Sequence, residues 1–186
     1  PAAVRLQRIQ QEMAGRLSIE WKAFPLRPVP DPSVTFKGTY REEAWKRCAA
    51  MAEPDRVVFT MWSRNDYPTW SLPALEAAKC VALQGEEAFR RLHLRLYEAF
   101  FTGGKNIAVP EEVVEVVRES GADMTRFLAD YESGKARDWV LHDYEEAVTR
   151  EGVRAIPTII GEGGQRVVGL VSAGEYRRML GASADG

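Results

Sequence analysis

Residues 151–160, Glu-Gly-Val-Arg-Ala-Ile-Pro-Thr-Ile-Ile, constrain this chain more than any other stretch. A helical pattern stops at Gly152, and a proline then opens a run of β-branched residues, so the backbone must pass from helical to extended geometry within a few positions. Pro157 has no N–H for a strand ladder, which confines it to a strand's first residue, an edge or a bulge, and it drives Ile156 into extended geometry. The residues alone leave the Ile156–Pro157 bond cis or trans. Gly161-Glu162-Gly163-Gly164 leads from one strand into Gln165-Arg166-Val167-Val168-Gly169 and is read as a hairpin turn, not a phosphate loop. Glu175 to Leu180 closes the chain as a short helix.

Upstream, Ala2, Leu6, Ile9 and Met13 recur at helical spacing, and Gly15 stands where a helix stops, which predicts an amphipathic helix over 2–14. Leu17 to Phe24 alternates apolar and polar residues, as a strand with one buried face does. Pro25, Pro28, Pro30 and Pro32 enforce its end. Arg41 to Ala52 reads as a helix, and Val57 to Trp62 as a short extended apolar run. The loop that follows carries Tyr67 and Trp70 beside Trp62. These three aromatics are read first as packing and second as the lining of a groove for extended polypeptide, because large aromatics give adhesive, sequence-tolerant contact.

From Ser71 to Arg150 five helices follow one another. Their punctuation is Ser71 with Pro73, Gly85, Glu86-Glu87, Pro110, Gly121, Asp123, Gly134 and Gly152. No fixed period relates their sequences, so they form an insertion between two strand-bearing segments and not a repeat array.

The 186 residues carry 25 Lys+Arg against 27 Asp+Glu and are 45% hydrophobic, which suits an ordinary globular chain and gives no electrostatic reason to expect nucleic acid or an anionic membrane as partner. No apolar run reaches the roughly 18 residues of a membrane span. Cys48 and Cys80 lie on separate predicted helices, far from metal or redox spacing, and are read as buried thiols; such sparse cysteine fits a reducing compartment. His93 and His142 are read as exposed helix positions, and no residues at metal spacing accompany them. The pairs Glu42-Glu43, Glu86-Glu87, Glu111-Glu112 and Glu145-Glu146 are read as solvated or as complements to helix dipoles. The sequence opens at Pro1 without a charged-then-apolar signal segment.

Gly152-Val153-Arg154-Ala155-Ile156-Pro157-Thr158, the hairpin, Val168-Gly169-Leu170 and the closing helix resemble the C-terminal half of the DsbA-like thioredoxin-fold family. The opening helix and Glu20-Trp21-Lys22-Ala23-Phe24-Pro25-Leu26-Arg27-Pro28 resemble its N-terminal half. The likeness runs from Ala2 to Leu180 and is nearest the FrnE-type oxidoreductases and 2-hydroxychromene-2-carboxylate isomerases. It implies an α/β fold: a thioredoxin-like domain with a mixed central sheet and an inserted all-helical domain. The first half would occupy 1–40, the helical insertion 41–150 and the second half 151–186. The family's first strand and Cys-x-x-Cys turn are expected just upstream of Pro1.

The resemblance further implies thiol–disulfide exchange by a bacterial, cytoplasmic protein without cofactor or metal, its partners polypeptide or small disulfide and thiol substrates. The active-site loop would be Ala155, Ile156 and Pro157, the proline cis and facing the cysteine pair; Ala155 stands where many relatives carry Gly. Trp62, Tyr67 and Trp70 would line the groove, since relatives place this loop near the redox turn. Two other readings stay open: a glutathione-dependent isomerase or kappa-class transferase, and a redox-inactive binding module on the same scaffold.

Overall fold

Gly152 adopts φ 61°, a left-handed conformation that β-carbon sterics disfavour elsewhere, and there the last long helix gives way to the hairpin. A computed structural model describes residues 1–13 and 15–181. The elements in chain order are α1 (Ala2–Glu12), α2 (Tyr40–Ala52), a 3-10 turn (Glu53–Asp55), α3 (Leu72–Ala82), α4 (Glu86–Phe101), α5 (Pro110–Glu119), α6 (Met124–Glu132), α7 (Lys135–Thr149), β1 (Thr158–Ile160), β2 (Arg166–Val168) and α8 (Ala173–Met179). The chain divides into two units, one of Pro1–Trp21 with Glu146–Gly186 and one of Lys22–Glu145.

In the first unit, β1 and β2 pair antiparallel, with Thr158 opposite Val168, Ile159 opposite Val167 and Ile160 opposite Arg166. The turn closes through Gly164 N–H to Gly161 O at 2.9 Å and Gly161 N–H to Gln165 O at 2.9 Å. Ile159 and Val167 share one face of the hairpin and pack with Leu6 and Ile9 of α1 and the fully buried Tyr176 of α8. Tyr176 Oη donates to Gly169 O at 3.2 Å, so the core ring also satisfies a turn carbonyl. Ser172 and Glu175 form a reciprocal capping box at the start of α8. The predicted helix 2–14 corresponds to α1; its last position, Ala14, lies outside the described residues.

Residues 17–24 differ from the expected strand. The alternation is real in burial, since Leu17, Ile19, Trp21 and Ala23 are the more buried positions, but no ladder pairs with this segment among the described residues. Alternation encodes which side chains turn inward, whereas a strand also needs a backbone partner. In place of the expected mixed central sheet, the described residues hold the two-stranded hairpin.

The second unit is helical. Ala77, Cys80 and Val81 of α3, Leu92 of α4, Val113, Val116 and Val117 of α5, Phe127 of α6 and Ala136 at the start of α7 form its main core. Caps follow the predicted punctuation: Asp123 accepts from Arg126 N at the start of α6, and Pro110 opens α5. A second, aromatic core gathers Phe36, Trp45 and Trp62 with Phe59, Tyr67, Phe100 and Phe101. The extended run 57–62 docks there through Thr60 N–H to Phe101 O at 2.8 Å and Trp45 Nε1 to Thr60 O at 3.0 Å.

Candidate functional site

The loop from Glu151 to Pro157 is held at both ends. Val153 N–H donates to Ala147 O at 2.8 Å, which ties the loop's start to the last turns of α7. Arg166 of β2 reaches back to the Glu151 carboxylate at 2.7 Å and also donates to the Glu151 carbonyl. The Ile156–Pro157 peptide bond is cis. Thr158 Oγ1 donates to Ala155 O at 2.6 Å, and Pro157 O accepts from Gly169 N at 2.8 Å. Ala155 and Ile156 stand exposed, Ile156 at 44%, and Pro157 is half-buried.

Sequence reasoning left Thr158 without a role; its hydroxyl pins the loop carbonyl two peptide units before it. Arg5 of α1 likewise donates to Val171 O, and Glu12 pairs with Arg177 of α8 at 2.6 Å, so both ends of α1 are tied within this unit. Between them lies a side chain that the helical pattern did not single out: Gln7 is buried, and neither end of its carboxamide has a hydrogen-bond partner among the described residues.

The three candidate groove aromatics belong to the second unit. Trp62 and Tyr67 meet edge to face with ring centroids 5.4 Å apart, whereas Trp70 lies in a different cluster with Ala23, Leu72, Leu75 and Val140. Trp62 is 3% exposed and packs against its neighbours; Tyr67 and Trp70 are half-buried and present part of their rings. Trp70 donates from Nε1 to Pro28 O at 3.1 Å, and the guanidinium of Arg137 lies 5.4 Å from its ring centroid. Arg137 is itself fixed by the buried Glu76 at 2.8 Å.

A polar clamp holds the loop on which Tyr67 sits. Arg64 bonds Glu112 through two nitrogens at 2.7 and 2.8 Å and Asp66 at 2.5 and 2.8 Å. Asn106, buried, donates to Asp66 O at 2.7 Å and accepts from Ala108 N at 3.1 Å, while its own N–H reaches Glu112 Oε2 at 2.8 Å. Hydrogen bonding to Arg64 is the main reason the Asp66 and Glu112 carboxyls are held below their ordinary range. Glu112 lies in the first turn of α5, where a carboxylate complements the helix dipole as expected, and it is in addition a structural anchor.

Asn106→Ala removes a buried group that serves several partners at once. It is expected to cost about 1–3 kcal/mol and to speed amide exchange across 63–68, with the α8 amides unchanged. An unchanged unfolding midpoint would show that the clamp is ornamental to the loop.

His93 also departs from expectation. It is half-buried in an aromatic ladder along α4, 5.1 Å from Phe89 and 5.1 Å from Tyr97, and burial pushes its imidazole down to about 4. His142 is exposed as expected. Cys48 and Cys80 are both free, Cys80 buried and Cys48 half-buried. Among the described residues no group of three or more His, Cys, Asp or Glu is arranged to hold a metal ion, and no helix is long and apolar enough to cross a membrane.

A hairpin preceded by a cis-proline loop and packed between an opening and a closing helix, with a helical body inserted in the chain, defines a thioredoxin-like protein of the helix-inserted class. Residues 2–180 match the DSBA-like thioredoxin domain, and the chain belongs to that family. It is similar in fold to the crystal structure of a putative protein disulfide isomerase from Nitrosomonas europaea, at 17% identity and a TM-score of 0.77 over 96% of this chain and 87% of that one. No curated protein matches the chain.

Proposed function

We propose that this chain forms the body of a DsbA-like thiol–disulfide oxidoreductase, of the cytoplasmic FrnE-type or hydroxychromene-carboxylate isomerase-like branch, acting on polypeptide or small-molecule disulfides. The observation that carries the reading is the Ala155-Ile156-Pro157 loop at the mouth of the hairpin, with Ala155 and Ile156 exposed, within a family match that runs nearly end to end. The reacting cysteine pair is expected just before Pro1, at the N-terminus of α1, where a helix end stabilises a thiolate.

The first thiolate attacks one sulfur of a substrate disulfide, forming a mixed disulfide and releasing the other substrate sulfur as thiolate. The second cysteine then attacks the mixed disulfide, so the substrate leaves as a dithiol and two electrons have passed from the cysteine pair. The same steps run backwards oxidise a substrate dithiol. In this reading the backbone before Pro157 pairs with an extended substrate segment, as in strand addition.

The test uses the polypeptide made from its native gene. We expect an intact mass above that of the 186 residues, at least two thiols beyond Cys48 and Cys80 after denaturation and reduction, and catalysed reduction of a protein disulfide by a small dithiol. Only those two thiols and no catalysis would overturn the reading in favour of a binding module. Catalysis that requires glutathione would favour the transferase-like branch.

A further inference from the structure

The second unit carries a surface whose side chains have chemistry but no task in the fold. Residues 27–36 run along residues 67–71: Ser71 N–H donates to Arg27 O at 3.0 Å, Arg27 N–H to Ser71 Oγ at 3.0 Å, and Asp31 N–H to Thr69 O at 3.0 Å. Phe36 stacks on Tyr67 with centroids 5.2 Å apart and planes 26° off parallel. Pro25, Pro28, Pro30 and Pro32 restrict the backbone further. This segment is therefore rigid, yet it and its flanks turn apolar side chains outward: Val29 within it is 68% exposed, Leu26 just before it 63% and Tyr40, at the start of α2, 71%.

Two cations accompany them. Arg41 rests its guanidinium 4.8 Å from the Tyr40 ring centroid and donates to Thr35 O at 3.3 Å. The Arg27 guanidinium has no hydrogen-bond partner among the described residues. The Asp31 carboxylate, which feels both charges, is already engaged, its Oδ1 accepting from Ser33 N at 3.0 Å and from Ser33 Oγ at 2.5 Å. Burial holds the Tyr67 phenol above its ordinary value, and the charges of Arg27 and Arg41 oppose that shift.

We propose that Leu26, Arg27, Val29, Tyr40, Arg41 and Tyr67 form a docking surface for an extended polypeptide segment that carries a carboxylate beside apolar side chains. A carboxylate is acceptor-only and matches a guanidinium and a phenol donor, while Leu26, Val29 and Tyr40 take the flanking apolar groups. A pre-ordered receptor of this kind loses little entropy on binding. Two guanidinium groups beside Asp31 are too sparse a field for a nucleic-acid backbone. The proposal deepens the polypeptide-substrate reading and rests on it for the ligand class only, since docking here requires no cysteine.

The probe is a labelled, thiol-free peptide alternating Leu or Val with Asp, compared with its Asn-for-Asp analogue by fluorescence anisotropy. We expect the acidic peptide to bind about tenfold tighter than the neutral one at low salt, and Arg27→Gln to erase most of that preference. Tyr40→Ser is expected to weaken both peptides alike. Neither substitution touches a buried contact, because the Arg27 hydrogen bonds are made by its backbone and Tyr40 is exposed, so unchanged thermal midpoints serve as the folding control. Equal binding of the two peptides, or an unaltered preference in Arg27→Gln, would overturn the proposal, as would anionic phosphatidylserine vesicles displacing the acidic peptide. Selective peptide binding without disulfide turnover by the native-gene protein would sink the oxidoreductase reading and leave this one standing. Turnover without selectivity would do the reverse.

Discussion

Asp143→Ala is expected to cost about 3 kcal/mol, because its carboxylate is the buried acceptor that ties α7 to two other segments. Asp143 is 5% exposed; Oδ2 accepts from the Ala23 backbone N–H at 2.7 Å and meets Lys79 Nζ of α3 at 2.5 Å. Lys22 lies 3.8 Å from Oδ1 but is 44% exposed, so solvent screens it and its share is small. Truncation leaves the Lys79 ammonium, at 23% exposure, and the Ala23 N–H without their acceptor, and those stranded groups set the cost more than the lost attraction does.

Two further variants separate these terms. Asp143→Asn keeps an acceptor for Ala23 while deleting the charge, and should fall between wild type and alanine. Adding Lys79→Met to Asp143→Ala should recover part of the loss, because the stranded ammonium is gone. Urea unfolding measures all three, and an alanine variant within about 0.5 kcal/mol of wild type would rule out a structural role for the carboxylate.

That pair also shows where sequence reading stops. The helices of the second unit were legible because caps, prolines and glycines act on the residues immediately around them: Pro110 opens α5, Asp123 caps α6, and Gly152 follows α7. Asp143 to Ala23 spans 120 positions, and Arg64 to Glu112 spans 48. No local period encodes either, so Asp143 draws no reading at all and Glu112 is read only as half of a solvated or dipole-complementing pair. His93 failed for a related reason: at i−4 and i+4 it meets Phe89 and Tyr97, so helical spacing placed it within an aromatic ladder that its polarity alone did not suggest.

The hairpin loop was legible from Gly152, Pro157 and the β-branched run, whereas its pinning by Thr158 and Arg166 was not, since both act through side-chain geometry. Among the aromatics, equal prominence in sequence hid unequal exposure. Trp62 fills the interior, while Tyr67 and Trp70 keep partial access to solvent.

Cys80 should be more than about a thousandfold slower than an exposed thiol towards an alkylating reagent at pH 8 in the native protein. It sits in α3 with 0% exposure, packed among Ala77, Val81, Leu92 and Val113. Burial, and then the carboxylates of Asp130 and Glu76, push its thiol up to about 12, so the reactive thiolate is scarce: roughly one molecule in ten thousand at pH 8, against about a quarter for a thiol of ordinary pKa near 8.5. Steric closure adds to this, because reagent must wait for an opening of the helical core. Cys48, half-buried on α2, should label first, and denaturant should bring both to the same rate. Site-resolved mass spectrometry of a timed alkylation distinguishes the two and any further thiol. Fast native labelling of Cys80 would mean that the α3–α4–α5 core opens readily and would make Cys80 a candidate redox group. Slow labelling takes Cys80 out of thiol chemistry and leaves Cys48 and any further cysteine, the latter being what the oxidoreductase reading requires.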